Sequence, residues 1–541
     1  MRKSKCLNNK IFKNLWVIIF LISLSTAGFS GVKAKSDEGN NLLSYDELNR
    51  LYNQRIIFSP LEAKLKRLLT TAFVDNLNSN SDSHIFLETQ ELGKHIKVVH
   101  WNIERGLNYE AIEAIFTDMN RFNMMLDKEK FPEGSKERLQ IYKEAAILQK
   151  ADVIILNEID WGIKRSGYRN ITKDLAKSLR MNYAFGVQFV ELSPIHISKA
   201  TNKIETKEEN EARNLIKVDS SKYKGLHGIA ILSRFPLKNV RLVPFEHQPY
   251  DWYNSEKTGP GILEKGKRKI GEVVFLEESL REVRLGGRTT LYADIAHEKF
   301  PKGRVTIAAT HLENRSKPNG RVIQLREILA RIKETDHPVI LAGDMNTSGR
   351  NLKPITIQRE LTKRFGNPEF WIKGGIKYAL GIGLYEDILM GTISFGRTQG
   401  DPTVKHIPYI SPNPARKFFS TLEDFRFADG GAFDFRGDKG RSVNEQEKNL
   451  ANSNQRADKG FVTTYQVKRP IKFIGKYKLD WIFVKPANLK KHNDKRGSYR
   501  FAPHFGQTLK LIYEANGDRI SDHRPIVVDL PLEEPYGEFI Q

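Results

Sequence analysis

Through the middle of the chain, short apolar runs alternate with longer stretches whose apolar residues recur at helical spacing. The runs "KVVHWNI", "ADVIILNE", "NYAFGVQFV", "GIAILS", "TLYADI", "RVTIAATHL", "HPVILAGD", "KLDWIFV" and "PIVVDL" have the length of buried strands. Between them, "SKERLQIYKEAAILQK", "NITKDLAKSLR" and "GRVIQLREILARIKE" carry the spacing of amphipathic helices. Ahead of the alternation, "SYDELNRLYNQ" opens with Ser44 and Glu47 at capping-box spacing. "SPLEAKLKRLLTTAF" repeats the device with Ser59 and Glu62 and adds Pro60 at the first helical position. Two helices without chemistry of their own are expected there. No solenoid-type repeat interrupts the pattern. It predicts an α/β chain with mixed sheets.

The alternation stops between about Ser348 and Lys476. That segment holds glycine-rich, aromatic stretches such as "GGIKYALGIGLYEDILMGTISFG" and "DFRFADGGAFDFRGDKGR". A stretch of this length inside a compact domain is functional or a small subdomain. The tripeptide at Arg436–Asp438 resembles an adhesion motif, but three residues recur by chance and carry little weight.

At 541 residues the chain can bury a large core, and its composition, 39% hydrophobic and 10% aromatic, is that of a globular protein. The start changes the picture. "MRKSKCLNNKIFK" is basic, "LWVIIFLISLSTAGF" is apolar, and "VKA" before Lys35 offers small residues for cleavage, so residues 1–34 read as a secretory signal peptide. An uncleaved N-terminal membrane tether is the alternative. Loss of residues 1–34 removes six basic and no acidic side chains and lowers the formal charge from +22 to +16. The single cysteine, Cys6, lies within that segment. An exported chain without thiols holds its fold by packing and has neither thiolate metal sites nor a cysteine nucleophile. The expected organisation is a signal at 1–34, a helical leader at 35–94, one domain at 95–533 with an insertion at 348–476, and a tail at 534–541.

The strand ends carry the candidate chemistry. "VVHWNIERG" delivers Asn102 and Glu104, "VIILNEIDWG" Asn157 and Glu158, "IAATHLEN" His311, "VILAGDMNT" Asp344 and Asn346, "YKLDWIFV" Asp480, and "ISDHRP" Asp522 and His523. Each alone has a plain reading: a turn residue at Asn102, a cap at Glu158, an Asx turn at Asp344 and Asn346, surface histidines at His311 and His523. Asp480, flanked by Leu479, Trp481, Ile482 and Phe483, is harder to place without a partner. As a set, the carboxylates and amides suit Mg2+ or Mn2+, and two histidines with a buried acid suit proton transfer.

With these motifs the chain resembles the endonuclease/exonuclease/phosphatase superfamily, the DNase-I-like fold. "WNIERG", "NEID", "HGIAILSR", "THLEN" with Arg321 and Gln324 downstream, "GDMNT", "LDWIF" and "SDHRP" stand in the family's order over roughly residues 95–530. The resemblance implies an α/β (α+β) four-layer sandwich, two mixed β-sheets flanked by helices, with the site at one edge of the sheets. It implies metal-site roles for Asn102, Glu104 and Glu158, with Glu158 the direct ligand, and a second-metal role for Asp522. Asp344 and Asn346 would orient water and phosphate oxygens, Asp480 would hold His523, and His523 would act as base or as a charged partner of the phosphate. His311 would contact the phosphate or protonate the leaving oxygen. One departure is Ile229, where many members carry Asn or another polar residue.

The implied reaction is phosphoester hydrolysis. "KLDWIFVK" lacks the Trp-Cys-Asp-Arg signature of the inositol-phosphatase branch. A phosphodiester in nucleic acid is the favoured substrate, on the basic charge and on clusters such as "EKGKRK" (Glu264–Lys269) and "KKHNDKR" (Lys490–Arg496), although a merely solvated basic surface accounts for such clusters equally well. A phospholipid or sphingomyelin phosphodiesterase is the alternative, with the aromatic insertion against a bilayer. A non-catalytic binding or effector protein is the third reading, and the intact polar set argues against it.

Overall fold

The computed structural model of the protein describes residues 42–53, 59–76, 85–192, 218–257, 282–347, 416–436, 463–471, 474–492, 494, 497–517 and 519–535. The expected signal segment and most of the 348–476 segment lie outside them. Among the described residues no helix is long and apolar enough to cross a membrane.

The strands in chain order are β1 (Phe73–Asp75), β2 (Leu87–Thr89), β3 (Gly93–Arg105), β4 (Val153–Trp161), β5 (Asn182–Glu191), β6 (Leu226–Ser233), β7 (Leu237–Pro244), β8 (Arg284–Gly286), β9 (Thr289–Ala296), β10 (Arg304–His311), β11 (Val339–Asp344), β12 (Tyr465–Ile471), β13 (Ile474–Tyr477), β14 (Asp480–Lys485), β15 (His504–Thr508) and β16 (Ile526–Pro531). One mixed sheet runs β1-β5-β6-β4-β3-β16-β15, with β2 on β3 and β8 on β5. The other runs β14-β11-β10-β9-β7.

Alternation along the strands sorts side chains into layers. On β3, Val99, Trp101 and Ile103 face the helices Tyr109–Thr117, Lys136–Gln149 and Ile171–Leu179, while Ile96 and Val98 face the second sheet. Ile229, Ile231, Ile307, Ile340, Ile482 and Val528 fill the gap between the sheets. The apolar Ile229 therefore belongs to the inter-sheet core. Beyond the second sheet, Leu325, Ile328 and Leu329 of the helix Pro318–Ile332 pack on Leu341, Trp481 and Phe483. The order is helix, sheet, sheet, helix, as the resemblance implied. Complete burial of one such aliphatic side chain stabilises by about 1.5–3 kcal/mol.

The leader is built into this core. Ser44 and Glu47 form the expected capping box, with reciprocal bonds of 2.7 and 3.2 Å. Leu48, Leu61 and Leu68 are buried against the first sheet, and β1 pairs with β5. The described part of the aromatic segment is also core. Phe418, Phe419 and Leu422 of the helix Arg416–Asp424, with Phe427 and Phe433, cover the second sheet. Arg436 of the adhesion-like tripeptide is buried on Asp434 and Glu534.

Strand direction gathers the polar ends. β3 and β4 are parallel and end at the same edge, as do β10 and β11. β14 and β16 run antiparallel to β11 and β3 and begin there. Register places Asp344 opposite both His311 and Asp480, and Asn102 opposite Asn157.

Candidate active site

Two bulges aim the acids. The β3–β4 register shifts between Asn102 and Arg105, and the β4–β6 register shifts between Asn157 and Ile159. Regular alternation would send Asn157 and Glu158 to opposite faces; a bulge re-aims one of them. Glu104 (φ +46°), Glu158 (φ +54°) and Asn346 (φ +45°) all adopt the left-handed backbone conformation. Each such residue costs about 1–3 kcal/mol, and strain of this kind collects at working sites.

The two sheets are bolted together at this edge. The Asp344 N–H donates to Asn157 Oδ1 at 2.7 Å, across the gap between sheets. The Asn346 N–H donates to Asp344 Oδ1 at 2.8 Å, and Asn346 Nδ2 donates to the Leu312 carbonyl at 2.9 Å. Asp344 Oδ2 is left as the hub. It lies 3.4 Å from His311 Nε2, 3.8 Å from His523 Nε2 and 3.5 Å from Asn102 Nδ2. The same Asn102 Nδ2 reaches Glu158 Oε1 at 3.2 Å.

Asp480 lies between two histidines. Its Oδ2 accepts from His523 Nδ1 at 2.7 Å, and its Oδ1 faces His100 Nε2 at 2.9 Å. His100 Nδ1 in turn faces the Ile155 carbonyl at 3.1 Å. Thr464 Oγ1 accepts from the backbone N–H groups of Leu479 and Asp480 and fixes the strand start. His523 is held equally firmly. Its N–H donates to Ser521 Oγ, Ser521 Oγ donates to the Asn102 carbonyl at 2.7 Å, and Trp101 Nε1 donates to the His523 carbonyl at 2.9 Å. The Tyr465 ring lies 5.0 Å from the His523 ring.

The charges follow from this packing. Burial pushes the Asp344 carboxyl up, and the neighbouring Asp480 pushes it further, to about 7. Glu104 rises to about 8, from burial and then from Asp522. Burial also opposes ionisation of Glu158, but His227, Arg105 and His523 outweigh it and hold Glu158 below its ordinary value. Burial works against Asp480 as well, yet His523 and His100 hold it low. His523 is the converse: Asp480, Asp522 and Asp344 overcome burial and hold it well above the ordinary imidazole value. His311 is driven well below it, by burial first and then by Arg288 and His227. His311 is thus a neutral imidazole, so its approach to Asp344 is not an ion pair. His523 is a cation.

Among the described residues, the one trio of His, Asp or Glu ligand atoms within 4.8 Å of one another is Asp344, Asp480 and His523. Two of them are already committed to each other, since Asp480 Oδ2 is bonded to His523 Nδ1 and the Asp480 charge holds His523 protonated. Glu158, bridged to Asp344 by Asn102, would be the carboxylate to hold a divalent cation. Hard oxygen donors of this kind fit Mg2+ or Mn2+.

Of the residues expected at the site, Asn102, Glu158, His311, Asp344, Asn346, Asp480 and His523 converge. Glu104 and Asp522 lie at its rim: Glu104 Oε1 is 3.7 Å from Arg519, and the half-buried Asp522 bears electrostatically on both Glu104 and His523. Arg321 and Gln324 splint the loops. Arg321 donates to the carbonyls of Glu313 and Ser316 and to Thr347 Oγ1, while Gln324 Oε1 accepts from the Glu313 N–H. His100, Ser521 and Thr464 were missed as functional residues, and Asn157, read at its strand end, was given no role. The signal for His100 was its spacing, two residues before Asn102 on the same face of an otherwise apolar strand.

The Endonuclease/Exonuclease/phosphatase family model matches residues 99–523. No curated protein matches the chain. Similar solved structures include an endonuclease/exonuclease/phosphatase from Beutenbergia cavernae, 16% identical over 81% of this chain and 71% of that one, with a TM-score of 0.35. Others are the human Nocturnin catalytic domain (13%, 84% and 98%, 0.33) and a 3′–5′ exonuclease from Neisseria meningitidis (12%, 80% and 99%, 0.34). The motifs at the strand ends, the layered fold and the family match over most of the chain agree: this protein belongs to the endonuclease/exonuclease/phosphatase family, whose members are hydrolases acting on phosphoester bonds.

Proposed function

We propose that the protein is an exported, divalent-metal-dependent hydrolase of phosphodiester bonds, with nucleic acid as the favoured substrate. The observation that carries this reading is the Glu158–Asn102–Asp344 bridge set beside the His523–Asp480 pair. Glu158, with Asn102, would hold the cation, which when bound neutralises phosphate charge and stabilises the leaving oxygen. His523 presents Nε2 to the substrate because Nδ1 is taken by Asp480, and its positive charge faces the phosphate. Asp344, with a proton affinity near neutral, accepts the proton of the attacking water. Asn346 fixes Asp344 through its N–H, and neutral His311 hydrogen-bonds a phosphate oxygen.

The charge of +22, or +16 after loss of the signal, supports an anionic polymer as substrate. The phospholipid alternative drew on the aromatic segment; Phe418, Phe419, Phe427 and Phe433 of that segment pack under the second sheet, while its stretch at 374–396 lies outside the described residues. One screen tests the assignment. Purified protein is given plasmid DNA, RNA, sphingomyelin vesicles and bis(p-nitrophenyl) phosphate, each with Mg2+ and with EDTA. Cleavage of DNA or RNA with Mg2+ alone is expected. Cleavage of sphingomyelin only would replace the nuclease reading, and no cleavage of any substrate would remove the hydrolase.

A further inference from the structure

Next to His311 the chain crosses from one sheet to the other. β8 pairs with β5 in the first sheet, Gly286 opposite Phe189, and two residues later Arg288 leads into β9 of the second. The crossing needs its glycines. Gly286 has φ +112°, and a Cβ there would lie 2.2 Å from the Gln188 carbonyl oxygen. A Cβ on Gly287 would lie 2.5 Å from the Gln248 side chain. So tight a crossing brings two guanidiniums to one ring. Arg284 Cζ and Arg288 Cζ lie 5.4 and 5.3 Å from the Phe189 centroid, and Arg284 is also 5.3 Å from Trp252. Thr290 pairs with Thr310, so Thr289 comes level with His311.

Buried polar atoms without a hydrogen-bond partner collect here. Among the described residues they include Gln188 Nε2 and Oε1, Arg288 Nη1, Arg284 Nε, Thr289 Oγ1 and His311 Nδ1. Gln188, Arg288, Thr289 and His311 are each at most 2% exposed. Each arginine already faces one acid, Arg288 Nε with Glu313 at 3.3 Å and Arg284 Nη2 with Glu282 at 2.7 Å, and still keeps an unused donor. Buried polar groups in folded proteins are almost always bonded, so such a concentration calls for a ligand or solvent. Guanidinium, amide and hydroxyl donors together match an oxyanion.

We propose that the Arg284–Arg288 crossing, with Gln188 and Thr289, is a subsite for a second phosphate group on the substrate, adjoining the reactive centre at His311. The inference rests on the phosphodiesterase reading above and names a feature of its substrate. Arg288 is also the largest charge holding His311 neutral, which places its field at the reactive centre.

The test compares kcat/KM for substrates that differ by one phosphate. In one arm thymidylyl-thymidine is compared with its 5′- and 3′-phosphorylated forms. In the other, phosphatidylcholine vesicles carry phosphatidylinositol or phosphatidylinositol 4-phosphate. The wild type should prefer the extra phosphate in one arm by roughly tenfold or more, the scale of one charge-assisted hydrogen bond. The preferred arm identifies the source as a nucleic-acid strand or a lipid headgroup. Arg288→Lys, which keeps a charge for Glu313 but loses the second guanidinium edge, should bring the ratio near one. Gln188→Leu should do the same, and it guards against misfolding, because replacing an unpaired buried amide with an apolar group of similar size is close to neutral for stability. Hydrolysis without preference in the wild type, or a preference unchanged in both variants, overturns the subsite and leaves the hydrolase standing. Absence of hydrolysis from every substrate, bis(p-nitrophenyl) phosphate included, removes the underlying reading and the subsite with it.

Discussion

Replacing Asp480 with Asn removes one charge and leaves the shape of the site. Asp480 receives two short bonds, 2.7 Å from His523 and 2.9 Å from His100, at a position with no solvent exposure. A hydrogen bond to a charged group is worth about 1.5–3 kcal/mol. An amide can accept only at its oxygen, so one histidine then faces an NH2 group. If His523 loses its anchor, that bond alone costs about ten- to a hundredfold in rate at 1.4 kcal/mol per factor of ten. His523 also loses the largest charge that keeps it protonated. In hydrolases where a buried acid orients a catalytic histidine, the same change costs about 10^4 in kcat. Asp480→Asn should therefore lower kcat on bis(p-nitrophenyl) phosphate by about 10^2 to 10^4 with little change in KM. His523→Ala should fall in the same range, and the double variant should lie within about threefold of His523→Ala, because groups acting as one unit are not additive. The assay is a double-mutant cycle on kcat and kcat/KM, with thermal melts to establish that each variant is folded. Losses that multiply, or an Asp480→Asn loss under about tenfold, would refute the coupling.

Other consequences are equally open to measurement. Asp344 and Glu104 bind protons more tightly folded, at about 7 and about 8, than unfolded, near 4. Their effect on the metal-free fold is therefore increasingly unfavourable as pH rises from about 4 to 8. Mg2+ or Mn2+ added to EDTA-treated protein should raise Tm more at pH 8 than at pH 5.5; an equal rise at both would contradict this. Asn157→Ala leaves the buried Asp344 N–H without its 2.7 Å acceptor and should cost about 1–3 kcal/mol by urea titration. Phe419→Ala should cost about 3–5 kcal/mol, since its ring is fully buried 4.9 Å from Trp481; an aromatic side chain on a free loop would cost nothing. Protein recovered from the extracytoplasmic fraction should begin near Lys35 on N-terminal sequencing, and an intact Met1 on cytoplasmic protein would contradict export.

The core strands were legible because both their faces are apolar. β3, β4, β6, β10, β11, β14 and β16 are buried nearly from end to end, and each stands out as an apolar run. β7, whose residues Lys238, Asn239 and Arg241 are exposed or half-buried at a sheet edge, gives no such signal, and neither do the three-residue strands β1, β2 and β8. The site residues were legible as polar breaks at strand ends, helped by the family's motif order. His100 was not, because a histidine within an apolar strand looks like core until the second sheet supplies Asp480, far along the chain. The crossing at Arg284–Arg288 was hidden for the same reason: only the folded chain brings Phe189 and His311 beside it. The aromatic residues near Phe418 misled in the other direction, since aromatic density outside the strand pattern suggests a contact surface, yet here it caps a sheet.

The most direct test of the account is a divalent-metal titration of bis(p-nitrophenyl) phosphate hydrolysis by wild type and Glu158→Gln. Glu158 is the half-buried acid beside Asn102 whose proton affinity is held below its ordinary value, so it should be the group through which metal confers activity. The account predicts no hydrolysis in EDTA, saturable activation of the wild type by Mg2+ or Mn2+, and a Glu158→Gln protein that melts like the wild type in EDTA but needs at least about tenfold more metal and turns over more slowly. Full activity of Glu158→Gln at limiting metal, or wild-type hydrolysis that persists in EDTA, would contradict it.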